Sequence, residues 1–305
     1  MKTTTALFTI AILFSVSLIS CNKDANTEQN NNNNPNPNPV VNNKMVKWYL
    51  IDSSANSQDT TDFTTISYDA QDRVNSISYY GSNAAGAVPY SVVDYYYNSN
   101  DTLPYRSYEL RAEPDHHDTT NTFFFYDGAG RRIKDSLISS YKSTSGVTTY
   151  NVGGNIKLYN YAGGNIIGLS THVSTNYSSS GTFTYTDITK DTVSLDANGN
   201  YINSIKNLNG STSVVTSCSY NSEANIFSTL NIRKNLDLFP DEYFNFATKN
   251  NPLHCTANRT IFSGSTTYNF DYTYTHNSDG LITEILVNNP YYTAGHYDKN
   301  IFVYQ

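Results

Sequence analysis

Seven stretches of this chain share one pattern, and it limits the fold more than anything else in the sequence. They are SYDAQDRVNSISYY from Ser67, YYNSNDTLPYRSYEL from Tyr96, FYDGAGRRIKDSLISSY from Phe125, LYNYAGGNIIGLSTHV from Leu158, SLDANGNYINSIKNL from Ser194, SYNSEANIFSTLNI from Ser219 and THNSDGLITEILVNN from Thr275. Each runs from an aromatic or apolar residue to Asp or Asn, through a few loosely constrained positions often including Gly, and on to an aliphatic residue. The anchors are Asp69, Asn98, Asp127, Asn160, Asp196, Asn221 and Asn277. An Asp or Asn side chain can accept a hydrogen bond from the backbone two residues on and start a turn. A following Gly, such as Gly130, can take the positive φ at which the chain reverses. The outgoing segments alternate, with Val74, Ser76 and Ser78 on one face and Asn75, Ile77 and Tyr79 on the other. The repeat therefore predicts a series of antiparallel β-hairpins and an all-β fold.

One interval, between Asn221 and Asn277, is too long for a hairpin. It contains NLDLFPDEYFNFATKNNPLH. Asp237 or Pro240-Asp241 can start a helix, Glu242 suits its first turn, and Asn250-Asn251-Pro252 ends it. A short helical insertion is expected near 237–250, capping or plugging the sheet or closing over an aromatic pocket.

The N-terminus is read separately. Lys2 precedes the apolar run Ala6–Leu18, which has the length of a signal peptide and is short for a membrane span. Ser20-Cys21 is where a lipoprotein signal peptidase would cut. Residues 1–20 are thus read as a signal peptide and Cys21 as the lipidated (palmitate-type) mature N-terminus. Residues 21–44, rich in Asn and Pro, form a tether without the apolar surface for a core. Residues 45–305 form the folded domain. No further membrane helix is read, and a membrane-spanning barrel is not expected, because the anchor would be redundant and the strands read as polar on both faces.

Tyr68-Asp69, Phe125–Arg131 and Asn277–Leu281 are similar to YD-repeat units of Rhs-type shells. The arrangement as a whole resembles a family of Bacteroidetes surface lipoproteins that combine YD-like hairpins with one helical insertion near the C-terminus. Lys23-Asp24 behind Cys21 resembles the export signal of such lipoproteins. The resemblance implies an extended or curled antiparallel meander, no assigned activity, and an outer-membrane location that leans toward the cell surface.

The composition excludes some partners and leaves others open. The net charge is −7, with 15% charged residues and no basic run, which argues against nucleic acid. The 27 tyrosines suit a half-covered sheet, and exposed tyrosines would also stack on sugars. Motifs for metalloprotease, serine-hydrolase, phosphate-loop and dithiol chemistry are missing, so no cofactor is expected. His116, His117 and Asp118 are the densest metal-ligand candidates. They are read first as part of a solvated hairpin tip, because adjacent histidines on a strand point to opposite faces. Cys218 and Cys255 could pair outside the cytoplasm or stay as two buried thiols. Asp-Thr or Asp-Ser steps at Thr60, Thr102, Thr119, Ser136 and Thr192 resemble the O-glycosylation sequon of Bacteroidetes envelope proteins. Three roles follow: a non-catalytic envelope protein with a structural or interaction role, partnered by the membrane and by a glycan or another envelope protein; a glycan-binding module; or a polysaccharide hydrolase with an unrecognised carboxylate pair.

Overall fold

The computed structural model describes residues 44–54, 57–81, 88–113, 116–143, 149–178, 181–208, 212–230, 248–261, 264–288 and 297–305. The chain divides into Met1–Val41 and Asn42–Gln305, and the fold below is that of the second unit. The expected signal peptide, Cys21 and nearly all of the tether lie outside the described residues.

Among the described residues, sixteen strands follow one another in sequence order and close into an antiparallel barrel. They are Met45–Ser54 (β1), Ser57–Tyr68 (β2), Val74–Gly81 (β3), Ser91–Tyr96 (β4), Arg106–Glu113 (β5), His116–Tyr126 (β6), Arg132–Ser143 (β7), Thr149–Ala162 (β8), Asn165–Ser178 (β9), Gly181–Leu195 (β10), Tyr201–Leu208 (β11), Thr212–Ala224 (β12), Asn250–Ile261 (β13), Gly264–His276 (β14), Ile282–Asn288 (β15) and Tyr297–Tyr304 (β16). The all-β antiparallel meander was expected, and its closure into a barrel is more specific than the extended or curled sheet. β1 pairs with β16 from Met45↔Tyr304 to Ser53↔Tyr297, and Lys44 and Gln305 exchange two backbone hydrogen bonds. Closure removes the two unpaired edges that an open meander would leave as templates for aggregation.

Four anchors form one and the same turn. At Asp69, Asp127, Asp196 and Asn277 the anchor N–H donates to the carbonyl four residues on, and its own carbonyl accepts from the third. Its Oδ1 accepts two more backbone N–H groups, for example Ala129 and Arg131 at 2.9 Å for Asp127. The third residue after the anchor is left-handed: Asp72 (φ 63°), Gly130 (70°), Gly199 (84°) and Gly280 (79°). A bulge follows each turn, so Tyr126 pairs with Arg132 but Phe125 with Lys134. Asn98 sits in the longer connection from β4 to β5. Asn160 and Asn221, expected at turns, lie inside β8 and β12. Beyond Asn160 the reversal is made by Gly163 (φ 59°) and Gly164 (79°), a two-residue turn that needs no Asx anchor.

Tyrosines at or near the ends of the even strands, several of them the aromatic that opens a repeat, share one task. Tyr68 Oη donates to Met45 O at 2.7 Å, Tyr97 to Val74 O at 2.6 Å and Tyr126 to Pro104 O at 2.9 Å. Tyr161 donates to Arg132 O at 2.8 Å, Tyr220 to Tyr201 O at 2.7 Å, Tyr274 to Pro252 O at 2.5 Å and Tyr304 to Ile282 O at 2.6 Å. Each hydroxyl ties the end of an even strand to the start of the odd strand before it. In the β9–β10 hairpin the residue before the anchor is Leu195, which has no hydroxyl to give.

The core lies inside the barrel. Met45, Ile66, Val74, Ile77, Val214, Cys255, Ala257, Phe270, Tyr272, Ile282, Ile285, Val287 and Phe302 form one buried cluster. A 3-10 turn, Ile226–Thr229, caps itself through Asn225 Oδ1 and inserts Phe227 into that cluster. The Phe227 ring lies 5.5 Å from Trp48 and 6.1 Å from Phe302. The helix expected near 237–250 lies largely outside the described residues, and its last position, Asn250, opens β13 instead. Cys218 and Cys255 face each other in register on β12 and β13 and are joined by a disulfide.

Candidate functional site: the barrel interior and its walls

Strand alternation sorts the wall residues into two sets. Ser170, Ser174, Asp191 and Val193 are buried, whereas the intervening Leu169, Val173 and Ile188 are 43%, 40% and 65% exposed. The first set faces the interior and the second faces out.

The interior of β4–β11 combines a small apolar cluster of Tyr159, Ile166, Val193 and Tyr201 with bonded polar groups. Ser91 Oγ donates to Glu109 Oε1 at 2.9 Å, Ser170 Oγ to Asn155 Oδ1 at 2.7 Å and Ser174 Oγ to Asn151 Oδ1 at 2.8 Å. Gly153 belongs to the same face: a Cβ there would come within 2.9 Å of Ser139 Oγ. A charged cluster sits near the turn end. Arg132 Nη2 donates to Tyr159 Oη at 3.0 Å, and Tyr159 donates to Asp135 Oδ2 at 2.5 Å. Arg132 Nε lies 3.3 Å from Asp135 Oδ1, and Lys157 Nζ lies 3.7 Å from Asp191 Oδ2. The two cations and two carboxylates balance, which is what a buried polar group requires to be tolerated. Near the far end of β10, on the same register face as Asp191, Phe183 and Tyr185 lie 6.5 Å apart, with His172 5.8 Å from Tyr185. Phe183 is 65% exposed there.

Burial raises the hydroxyls of the core-facing tyrosines. Those of Tyr68, Tyr79 and Tyr304 are pushed up to about 12, and those of Tyr95, Tyr272 and Tyr274 higher still. They stay protonated, so the rings act as donors and packing groups. Burial also raises the Asp62 carboxyl. At Asp127 the Arg131 backbone N–H, the Arg131 side chain and the Ala129 N–H hold the carboxyl below its ordinary value.

The outer walls differ from one another. On β13 and β14 the outward residues are polar and bonded to one another. Thr256 Oγ1 donates to Asn269 Oδ1 at 2.9 Å, Thr267 Oγ1 to Asn258 Oδ1 at 2.7 Å, and His254 Nδ1 lies 2.7 Å from Asp271 Oδ1. Lys299 and Glu284 form a further outward pair at 2.9 Å on β15–β16. On β7–β10 the outward face is mainly aliphatic and Thr.

The residues singled out from the sequence do not converge. His117 and Asp118 are neighbours on β6 and point to opposite faces, and the side chain of His116 lies outside the described residues. Among the described residues there is no group of three or more His, Cys, Asp or Glu able to hold a metal ion. Thr102 is in the β4–β5 connection. Thr119, Ser136 and Thr192 point outward on β6, β7 and β10, with Thr119 Oγ1 2.7 Å from Ser140 Oγ. The side chain of Thr60 is outside the described residues. The Arg132–Asp135–Tyr159 cluster was not picked out, although Arg132 stands directly after a recognised turn.

No protein-family model and no curated protein matches the chain. Two solved structures are similar in outline. One is a porin-like protein from Bacteroides vulgatus, 14% identical with a TM-score of 0.46, covering 86% of this chain and 99% of that one. The other is a porin-like protein from Bacteroides uniformis, 11% identical with a TM-score of 0.34, covering 86% and 98%.

Proposed function

We propose that this chain is a non-catalytic, lipid-anchored barrel of the outer membrane with a structural or interaction role, held through Cys21 with its β domain in water. The observation that carries the reading is the outward face of β13 and β14. A wall in contact with hydrocarbon is apolar, with aromatic girdles at its two rims. Here Asn258, Asn269, Thr256 and the His254–Asp271 pair occupy the outer surface, while Phe270 and Tyr272 on the same strands are buried inside. On these two strands the apolar residues are thus spent on an interior core, as in a wall that faces water. The inward carboxylates Asp135 and Asp191 are held by Arg132 and Lys157, which fits wall stabilisation better than hydrolysis.

The test is membrane fractionation of the wild-type chain and Cys21→Ser, with mass spectrometry of the mature N-terminus. The wild type is expected in the membrane fraction with an acylated Cys21 and the variant in the soluble fraction. A Cys21→Ser chain that resists extraction from membranes would defeat the reading. Orientation toward the cell surface is tested by protease accessibility in intact cells.

A second reading, glycan binding, is favoured by one feature, the Phe183–Tyr185–His172 set. Aromatic faces of this kind stack on sugar rings. Tyr185→Ala should abolish any glycan-array signal, and an array without signal removes this reading.

A further inference from the structure

The carboxylates of the barrel wall are confined to one face over seven consecutive strands, where the inward cations Arg111, Arg132 and Lys157 accompany them. On β5–β11 the inward carboxylates are Glu109, Asp118, Asp135, Asp187 and Asp191, fixed on that face by their register with Ser91, Thr120, Ser139, Ser170 and Ser174. Among the described side chains of these strands, the ionisable groups on the outward face are Arg106, His117, Lys134, Lys142 and Lys190, with no carboxylate between them. Elsewhere the barrel mixes signs, with Glu284 beside Lys299 and Asp271 beside His254.

The same wall exposes aliphatic side chains in one block. Lys134, Leu158, Leu169 and Lys190 form a continuous pairing row, so two exposed leucines are flanked by two cations. The next row holds Ile156 (46% exposed) and Ile188 (65%), and the row beyond holds Ile138 (55%) and Val173 (40%). Contiguous apolar surface of this kind marks a contact site rather than a solvated wall.

We infer that the outer face of β7–β10 docks on an anionic lipid surface. The lysines supply attraction to phosphate headgroups, and the aliphatic rows between them enter the headgroup–acyl boundary. A purely water-soluble polyanion would match the lysines but leave those rows exposed. The membrane is also the surface that lipid attachment at Cys21 would bring within reach, and to that extent the inference rests on the proposed function. Glycans on Thr119, Ser136 or Thr192 would occupy the same wall and exclude docking.

The experiment places a reporter tryptophan at Ile156 (Ile156→Trp) or on the opposite wall at Thr273 (Thr273→Trp) in the full lipidated chain. Quenching by lipids brominated in the acyl chain is measured on vesicles of phosphatidylcholine alone or mixed with phosphatidylglycerol, and flotation reports attachment. The expected result is quenching at position 156 only, and only with phosphatidylglycerol. Lys190→Gln should lower that response about fivefold, the usual effect of one basic charge near an anionic surface. The unchanged denaturation midpoint of each variant shows that it is folded. Quenching at both walls on either vesicle would mean a spanning barrel and overturn the inference. Flotation without quenching at 156 would overturn it while sparing the anchor. Quenching at 156 on anionic vesicles without flotation on neutral ones would refute the anchor and leave docking intact. Concentration-dependent dimerisation that shields position 156 without lipid would assign the face to a second copy and overturn it as well.

Discussion

The hydroxyl of Tyr304 donates to the carbonyl of Ile282 at 2.6 Å, so the last strand is clasped to the first residue of the strand before it. The same clasp recurs at Tyr68, Tyr97, Tyr126, Tyr161, Tyr220 and Tyr274. Each clasp gives a carbonyl near a strand start a side-chain donor, and leaving a buried acceptor unmet costs about 1–3 kcal/mol. Tyr274→Phe should therefore destabilise the domain by about 1–2 kcal/mol with little change in packing. Chemical denaturation followed through Trp48, the single tryptophan, reads this directly. An unchanged midpoint in Tyr274→Phe and Tyr304→Phe together would show that the clasps are ornamental.

The raised hydroxyls make a prediction for alkaline pH. In the unfolded chain tyrosine ionises near its ordinary value of about 10, whereas Tyr68, Tyr79 and Tyr304 hold their protons to about 12 in the fold. The fold thus favours the neutral form. Stability is fully present below pH ~10 and falls as the pH rises toward ~12, because only the unfolded chain gains from ionisation. Thermal midpoints measured across that window should drop, and Tyr68→Phe should flatten the slope.

The turns make a prediction about backbone geometry and a second about acid. Gly280 holds φ 79°, so Gly280→Ala should cost about 1 kcal/mol. A Cβ added at Gly128, two positions before Gly130, would meet no heavy atom within 4 Å, and φ there is not positive, so Gly128→Ala should be near neutral. At Asp127 the hydrogen bonds from Arg131 and Ala129 favour the carboxylate. That contribution is present above the ordinary Asp value and is lost as the pH falls through the lower folded one. Asn277 makes the same backbone bonds without a charge, so Asp127→Asn should keep the turn and lose part of the acid sensitivity.

These cases show which parts of the fold could be read in the sequence. Asp69, Asp127, Asp196 and Asn277 were legible because their bonds are local: an Asx side chain meets backbone within four residues. Asn160 and Asn221 carry the same letters but not the same turn, since Gly163-Gly164 reverses the chain unaided and Asn221 bonds the Glu223 N–H within its strand. The clasps were hidden because their acceptors are carbonyls, which any residue offers. Closure was hidden for a different reason. Lys44 and Gln305 pair from opposite ends of the domain, and nothing near either residue signals the other. The confinement of carboxylates to the inner face of β5–β11 needed the register, because a one-residue slip would exchange the two faces.

The plug is where the barrel depends most on a single side chain. Phe227 is 4% exposed and enters the interior from a 3-10 turn held by Asn225, whose Oδ1 accepts the Phe227 N–H at 2.9 Å and whose Nδ2 donates to Thr248 Oγ1 at 2.9 Å. Trp48 touches it, and Trp48 Nε1 is bonded to Asn300 Oδ1 at 2.9 Å. Phe227→Ala would leave a void between strands at opposite ends of the chain, where the wall is held by the β1–β16 ladder and cannot collapse inward. The expected cost is about 3–5 kcal/mol, with a red shift of Trp48 emission as water reaches the indole. Phe227→Leu should recover most of the stability, because it refills the space without the ring contacts. If Phe227→Ala left both emission and midpoint unchanged, the turn would be lying on the barrel rim rather than filling its interior.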